Sequence, residues 1–163
     1  MNYAPLPQRA GDAPKITEGM PQLQIGVDAV DVVNAELFRR VYSLPSVQNQ
    51  LTVISPVEGS RALWVDPAID VAHPELLPKE RELGHIHPDG SLHMAMDPER
   101  GQEAVDAGWA LFHPAAGTRP GFQGFMLLYT PRDMEELNVI CQLIVDGYNH
   151  VVGASVDAAI LAG

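Results

Sequence analysis

Only one cysteine, Cys141, occurs among the 163 residues, so no internal disulfide can form, and the chain fits a reducing compartment. Basic residues are scarce too. Ten Lys and Arg stand against 21 Asp and Glu, giving a formal net charge of −11 and a pI near 4.7, with no local basic cluster to offset it. Such a surface repels phosphate backbones and anionic lipids, which excludes nucleic acid as an expected partner. No apolar run approaches the roughly 18 residues of a membrane span, and the first residues lack the basic-then-apolar order of a secretion signal. The expectation is a cytoplasmic protein with no membrane partner. Phosphate loops, dinucleotide fingerprints and paired-cysteine zinc motifs are also missing, which disfavours the common nucleotide, flavin and zinc-ribbon classes. The sequence is silent on oligomeric state.

What remains is a chain that is 46% hydrophobic and 19% charged, with 14 Gly and 14 Pro, long enough to bury about two thirds of its unfolded surface in one domain. Residues 1–24 are rich in Pro, Gly and polar residues without any period, and read as an arm lying on the domain or loose in solvent. Residues 25–153 form the domain, and 154–163 a small apolar tail. Val30, Val33, Leu37 and Val41 recur at helical steps behind Asp28, which predicts a helix over 29–43 stopped by Pro45. Residues 51–54 and 62–65 read as strands joined through Pro56–Gly59. Residues 66–80 read as a long surface connection. Asp97-Pro98-Glu99 starts a second helix that Gly108 stops. Strands over 109–113 and 125–129 follow. Thr130 is the expected cap of a last helix, striped by Leu137, Ile140, Cys141, Ile144, Tyr148 and Val151 and ended by Gly153. The prediction is a single α+β domain with a largely antiparallel sheet of about six strands and three helices packed on it.

Three of the six histidines fall in one stretch, Glu82 to Met96. Two apolar runs flank Pro88-Asp89-Gly90, and a two-residue Asp-Gly turn would leave Pro88 in the ladder without an N–H to donate. A three-residue loop with Gly90 left-handed fits instead, pairing 87 with 91 and 85 with 93. His85, His87, Ser91 and His93 then share one sheet face, while Ile86, Leu92, Met94 and Met96 take the core face. A slip of one residue would separate His93 from the other two.

GHIHPDGSLHMAM at 84–96, DAGWALFHP at 106–114, FMLLYTPRD at 125–133, TEGMPQLQI at 17–25 and SRALWV at 60–65 together resemble the luciferase-domain family. The namesakes are the fungal luciferases; most members are bacterial. For the fungal members the resemblance implies oxygenation of a hydroxylated pyrone with light emission, without flavin or ATP. The matched motif positions are His85, His87, His93, Trp109, His113 and Arg132. The fungal proteins carry an N-terminal hydrophobic anchor, whereas this chain starts with a polar, proline-rich arm.

Read on their own, the three histidines admit several accounts. Neutral imidazoles can remove a proton from an acidic enol and hold the anion, the reading adopted here, with no cofactor expected. The same three could instead meet one zinc or iron, or simply decorate an exposed sheet face. His113, ending a strand, is placed at the rim of the same cleft. Arg132 sits in the first turn of the last helix, where the dipole disfavours a cation; it is expected to bind an acidic or enolic ligand between itself and the histidines, against the alternative of a salt bridge to Asp133, Glu135 or Glu136. Arg61 is a weaker candidate of that kind. Trp109 and Tyr129 are candidate aromatic walls, and Ser91 a polar neighbour without a nucleophile-elbow motif. Cys141 reads as buried and inert, and His73 and His150 as isolated surface residues. The function expected is a flavin- and nucleotide-independent enzyme, oxygenase-like or hydrolytic, acting on a small oxygen-rich molecule; the rival is a non-catalytic module binding a small molecule or a protein. A concave pocket walled by aromatics favours the first, a flat open face the second.

Overall fold

The computed structural model describes residues 3–161. Its centre is a six-stranded, wholly antiparallel sheet in the order β3-β4-β5-β6-β8-β7, where β3 is Val47–Leu51, β4 Arg61–Val65, β5 Glu82–Ile86, β6 Leu92–Ala95, β7 Ala110–Phe112 and β8 Phe125–Leu128. Three helices complete the domain: α1 Asp31–Val41, α2 Pro98–Asp106 and α3 Met134–Val152. The architecture is α+β, as the segregated order of strands and helices implied.

Helices cover the sheet face that carries Ile86, Leu92, Met94 and Met96, all fully buried. Glycine permits the closest approach. A Cβ on Gly147 of α3 would stand 2.6 Å from Ala95 O and 3.1 Å from Met96 Cβ, so the helix lies directly on β6. Asp97 caps α2 by accepting from Glu99 N–H, Pro98 occupies its first turn, and α3 ends at left-handed Gly153 with φ +83°.

Three local expectations are corrected. α1 begins at Asp31 without a side-chain cap, not behind Asp28. The strand expected over 51–54 lies at 47–51: its middle residues Gln48, Asn49 and Gln50 are polar because β3 is a sheet edge, so the apolar run marked the turn rather than the strand. Thr130 does not cap α3. Its hydroxyl donates to Asp89 O at 2.9 Å and accepts from Gln24 Nε2 at 2.6 Å, while Asp133 accepts from Glu136 N–H as the true cap.

The N-terminal segment lies against the domain. Its two short strands, β1 (Lys15–Ile16) and β2 (Gln24–Ile25), pair with each other, and Arg9 N–H donates to Ala107 O at 2.9 Å. Among the described residues, no helix is long and apolar enough to cross a membrane.

Candidate functional site

The β5–β6 hairpin delivers the histidines as its turn chemistry dictates. His87 N–H donates to Ser91 O at 2.8 Å, Gly90 N–H donates to His87 O at 3.0 Å, and Gly90 adopts φ +83°. His85 stands opposite His93. The three ring centroids lie 5.0–5.1 Å from one another. This face is not open: His85, His87 and His93 are 2%, 2% and 4% exposed. His113, just past β7, brings a fourth ring to 5.1 Å from His93. Phe125 stacks on His93 at 5.5 Å and 11°, and Phe122 lies 4.9 Å from His113. The four histidines and Phe122, backed by fully buried Phe125, form the inner wall of a concave cavity of about 310 Å³, closed from the N-terminal side by Met20, Pro21 and Gln22 and bordered by Arg119.

Each central imidazole is fixed from behind by an acceptor. Glu82 takes His85 Nδ1–H at 2.8 Å, and its carboxylate also accepts from Thr52 Oγ1 at 2.8 Å and from Val53 N–H at 2.7 Å. Thr52 Oγ1 itself accepts from Ile54 and Ser55 N–H, so its proton points at Glu82. The register shift between β4 and β5 makes this contact. Leu63 pairs with Gly84 but Trp64 pairs with Glu82, leaving Leu83 as an extra residue; the bulge turns Glu82 onto the histidine face, where strict alternation would oppose it.

Gln22 does the same for His93. Its Nε2 donates to the Phe112 carbonyl at 3.0 Å, which orients Oε1 to accept from His93 Nε2 at 3.1 Å. For His87, Ser91 Oγ donates to Asp89 at 2.6 Å and so accepts from His87 Nδ1 at 3.0 Å. His113 Nδ1 accepts from Ala115 N–H at 3.1 Å, which leaves its Nε2–H as the free donor. These neighbours settle the tautomers.

Burial disfavours the charged form of His87, His93 and His113. Loss of hydration, then the other histidines, lowers His87 to about 3 and His93 well below the ordinary imidazole value. His113 falls to about 4, mainly by burial and then through His85 and Arg119. His87 and His93, each with one N–H tied to its acceptor, offer the other nitrogen as a lone pair, suited to accepting a proton from a bound acid or ligating an ion.

Ser91 and His113 therefore join the three histidines. The remaining candidates do not. Arg132 turns away from them: it pairs with Glu136, donates to Ala10 O at 2.7 Å and is 48% exposed. Of the alternatives weighed for it, the ion pair four residues along α3 prevails, because Glu136 is one helical turn away and mostly buried. Trp109 donates to Pro7 O at 2.7 Å and lines a separate cleft together with that same pair. Tyr129 lies under the Arg9 guanidinium, 5.5 Å from its ring centre. Arg61 bonds to Asn49 Oδ1 at 2.7 Å along the sheet edge. The cation at the cavity is instead Arg119, from the loop between β7 and β8.

Cys141 is buried, and burial pushes its thiol up to about 11. His73 and His150 are not isolated; their rings stack at 4.4 Å. Glu82, Gln22, Phe122 and Arg119 were not singled out from the sequence. Glu82 alone left a trace there, as an acid opening the histidine stretch.

The family profile described as Luciferase domain matches residues 80–146, which contain the hairpin, His113 and Arg119. Over nearly the whole chain the sequence is 32% identical to a luciferase of Neonothopanus nambi (164 residues, 88% of this chain and 59% of that protein) and 30% identical to a luciferase of Armillaria mellea (158 residues, 85% and 58%). The chain thus spans less than three fifths of the length of these relatives. No solved structure matches it significantly. The chain thus carries a Luciferase-domain segment over residues 80–146 and is similar along most of its length to the fungal luciferases.

Proposed function

We propose that this protein is an enzyme that works without flavin or nucleotide on a small, oxygen-rich molecule bearing an acidic or enolic hydroxyl, and that the histidine cavity is its active site. The observation that carries this is the convergence of four buried imidazoles and the Phe122 ring on one concave wall. A planar enol fits against Phe122 and the imidazole rings, and Arg119 supplies a positive charge at the border for its anion. His87, backed by Ser91 and Asp89, has its Nε2 lone pair free to take the hydroxyl proton; the anion then beside it stabilises the imidazolium that burial alone disfavours. An electron-rich enolate is a species that can react with oxygen, in keeping with the oxygenation that the fungal relatives' printed name, luciferase, suggests.

A simple hydroxylated pyrone is the probe. Wild-type protein should bind it as its anion, seen as a shifted ultraviolet band, at a pH where the free compound stays protonated. His87→Gln should weaken this at least tenfold, whereas Arg132→Ala should leave it unchanged. No binding by the wild type, or equal loss in both variants, would sink the proposal.

A further inference from the structure

We infer that His85, His87 and His93 are the ligands of one divalent first-row transition ion, held in place by Glu82, Gln22 and the Ser91–Asp89 pair behind them. This rests on the cavity being the active site and adds the ion at its centre.

The hydrogen-bond directions come first. His85 spends its Nδ1–H on Glu82, His87 its Nδ1–H on Ser91, and His93 its Nε2–H on Gln22. The three nitrogens left over are His85 Nε2, His87 Nε2 and His93 Nδ1. One ligand atom from each ring can be chosen so that all lie within 4.8 Å of one another. An imidazole whose second nitrogen is tied to a carboxylate, an amide or a hydroxyl is the usual form of a metal-bound histidine.

Distance gives a second argument. His85 Nε2 and His93 Nδ1 are 3.2 Å apart. With both outward N–H groups already used, two neutral rings would turn lone pairs on each other across that gap, which is repulsive. A positive centre between them relieves it. Two nitrogens held at 2.0–2.1 Å by a tetrahedral ion stand about 3.3–3.4 Å apart, so the hairpin already presents the required span.

Charge gives the third. Glu82 is fully buried, and among the described residues no Lys or Arg pairs with it; its one ionic neighbour is His85. A cation on the far side of His85 balances that carboxylate through the ring. Three neutral nitrogen donors suit zinc, iron, copper or nickel rather than calcium or magnesium, and a three-histidine set leaves a coordination position for an oxygen atom of the ligand. With the ion bound, His87 Nε2 is a ligand rather than a base: the coordinated hydroxyl gives up its proton to solvent, and the ion takes over from the imidazoles the task of holding the enolate.

The full chain, purified without a histidine tag and stripped with a chelator, should be titrated with Co²⁺. The expected result is one equivalent per chain with a visible absorption band, and a raised melting temperature. Binding should be lost in His85→Gln and His87→Gln, retained in His113→Gln, and weakened about 10–100-fold in Glu82→Gln. Because a variant can misfold, imidazole nitrogen resonances of the wild type should also be followed on adding Zn²⁺; those of His85, His87 and His93 should shift, and those of His73 and His150 should not. Binding of less than about a tenth of an equivalent, against the single ion of a one-site centre, would overturn the inference and assign a shared proton to the 3.2 Å contact, and so would shifts confined to other histidines. A chain that binds the hydroxypyrone but no cobalt refutes the ion and keeps the active site; one that binds cobalt but no hydroxypyrone keeps the ion and refutes the proposed substrate class.

Discussion

Glu82 and His85 meet at 2.8 Å with side chains 0% and 2% exposed, placing a carboxylate and an imidazole together out of reach of water. Removing one partner of such a buried pair strands the groups around it. Glu82→Ala would leave Thr52 Oγ1, Val53 N–H and His85 Nδ1–H without their acceptor, and should cost about 3–5 kcal/mol. Glu82→Gln keeps the shape and one acceptor oxygen and should cost less than half of that. Urea unfolding of both variants checks the order; equal losses would mean that volume, not the carboxylate, is what the site needs.

Gly84 lies between Leu83 and His85, facing the partner strand. A Cβ there would stand 2.3 Å from His93 O and 3.0 Å from Met94 Cα, against backbone that cannot yield without parting β5 from β6. Gly84→Ala should therefore destabilise the fold by more than about 3 kcal/mol and disturb the His85–His93 contact. A melting temperature within a degree or two of wild type would show that the strands are less tightly apposed.

The metal-stripped protein should lose stability as pH falls below about 6.5. His87 and His113 are held down to about 3 and about 4 when folded, against an ordinary value near 6.5 in the unfolded chain. Between those limits the unfolded state binds more protons, so stability is fully present above about 6.5 and declines as pH drops toward 3. Urea midpoints measured from pH 7.5 to 5 should fall steadily, and more shallowly for His113→Gln. A flat profile over that range, above the titration of most carboxylates, would contradict the neutral, buried imidazoles.

The histidine hairpin was legible because its determinants are local: Pro88 forbids the shorter loop, Gly90 supplies the left-handed residue, and alternation does the rest. The flanking helix signals at Asp97-Pro98 and Gly153 were legible for the same reason. Legibility failed where geometry depends on distant partners. Glu82 reaches His85 only through a bulge set by β4, and Gln22 reaches His93 from 71 residues away. Arg132 was misread because an uncompensated cation at a helix start looked like a ligand site, when Glu136 one turn later compensates it. At Leu51–Ile54 an apolar run looked like a strand, but Thr52 and Val53 serve Glu82 instead, and the polar edge strand before them carried no apolar alternation.

His85 and His93 are brought together by a chain segment of only nine residues closed by a tight turn, whereas Gln22 and His113 arrive through much longer closures. Short loops are entropically cheap to close and long ones cost more, and contacts between near neighbours in sequence form fastest. The three imidazoles can thus gather during folding before the cavity around them exists, and capture of an ion at that stage would pin the hairpin register while the rest of the sheet assembles. Folding rate would then depend on metal concentration.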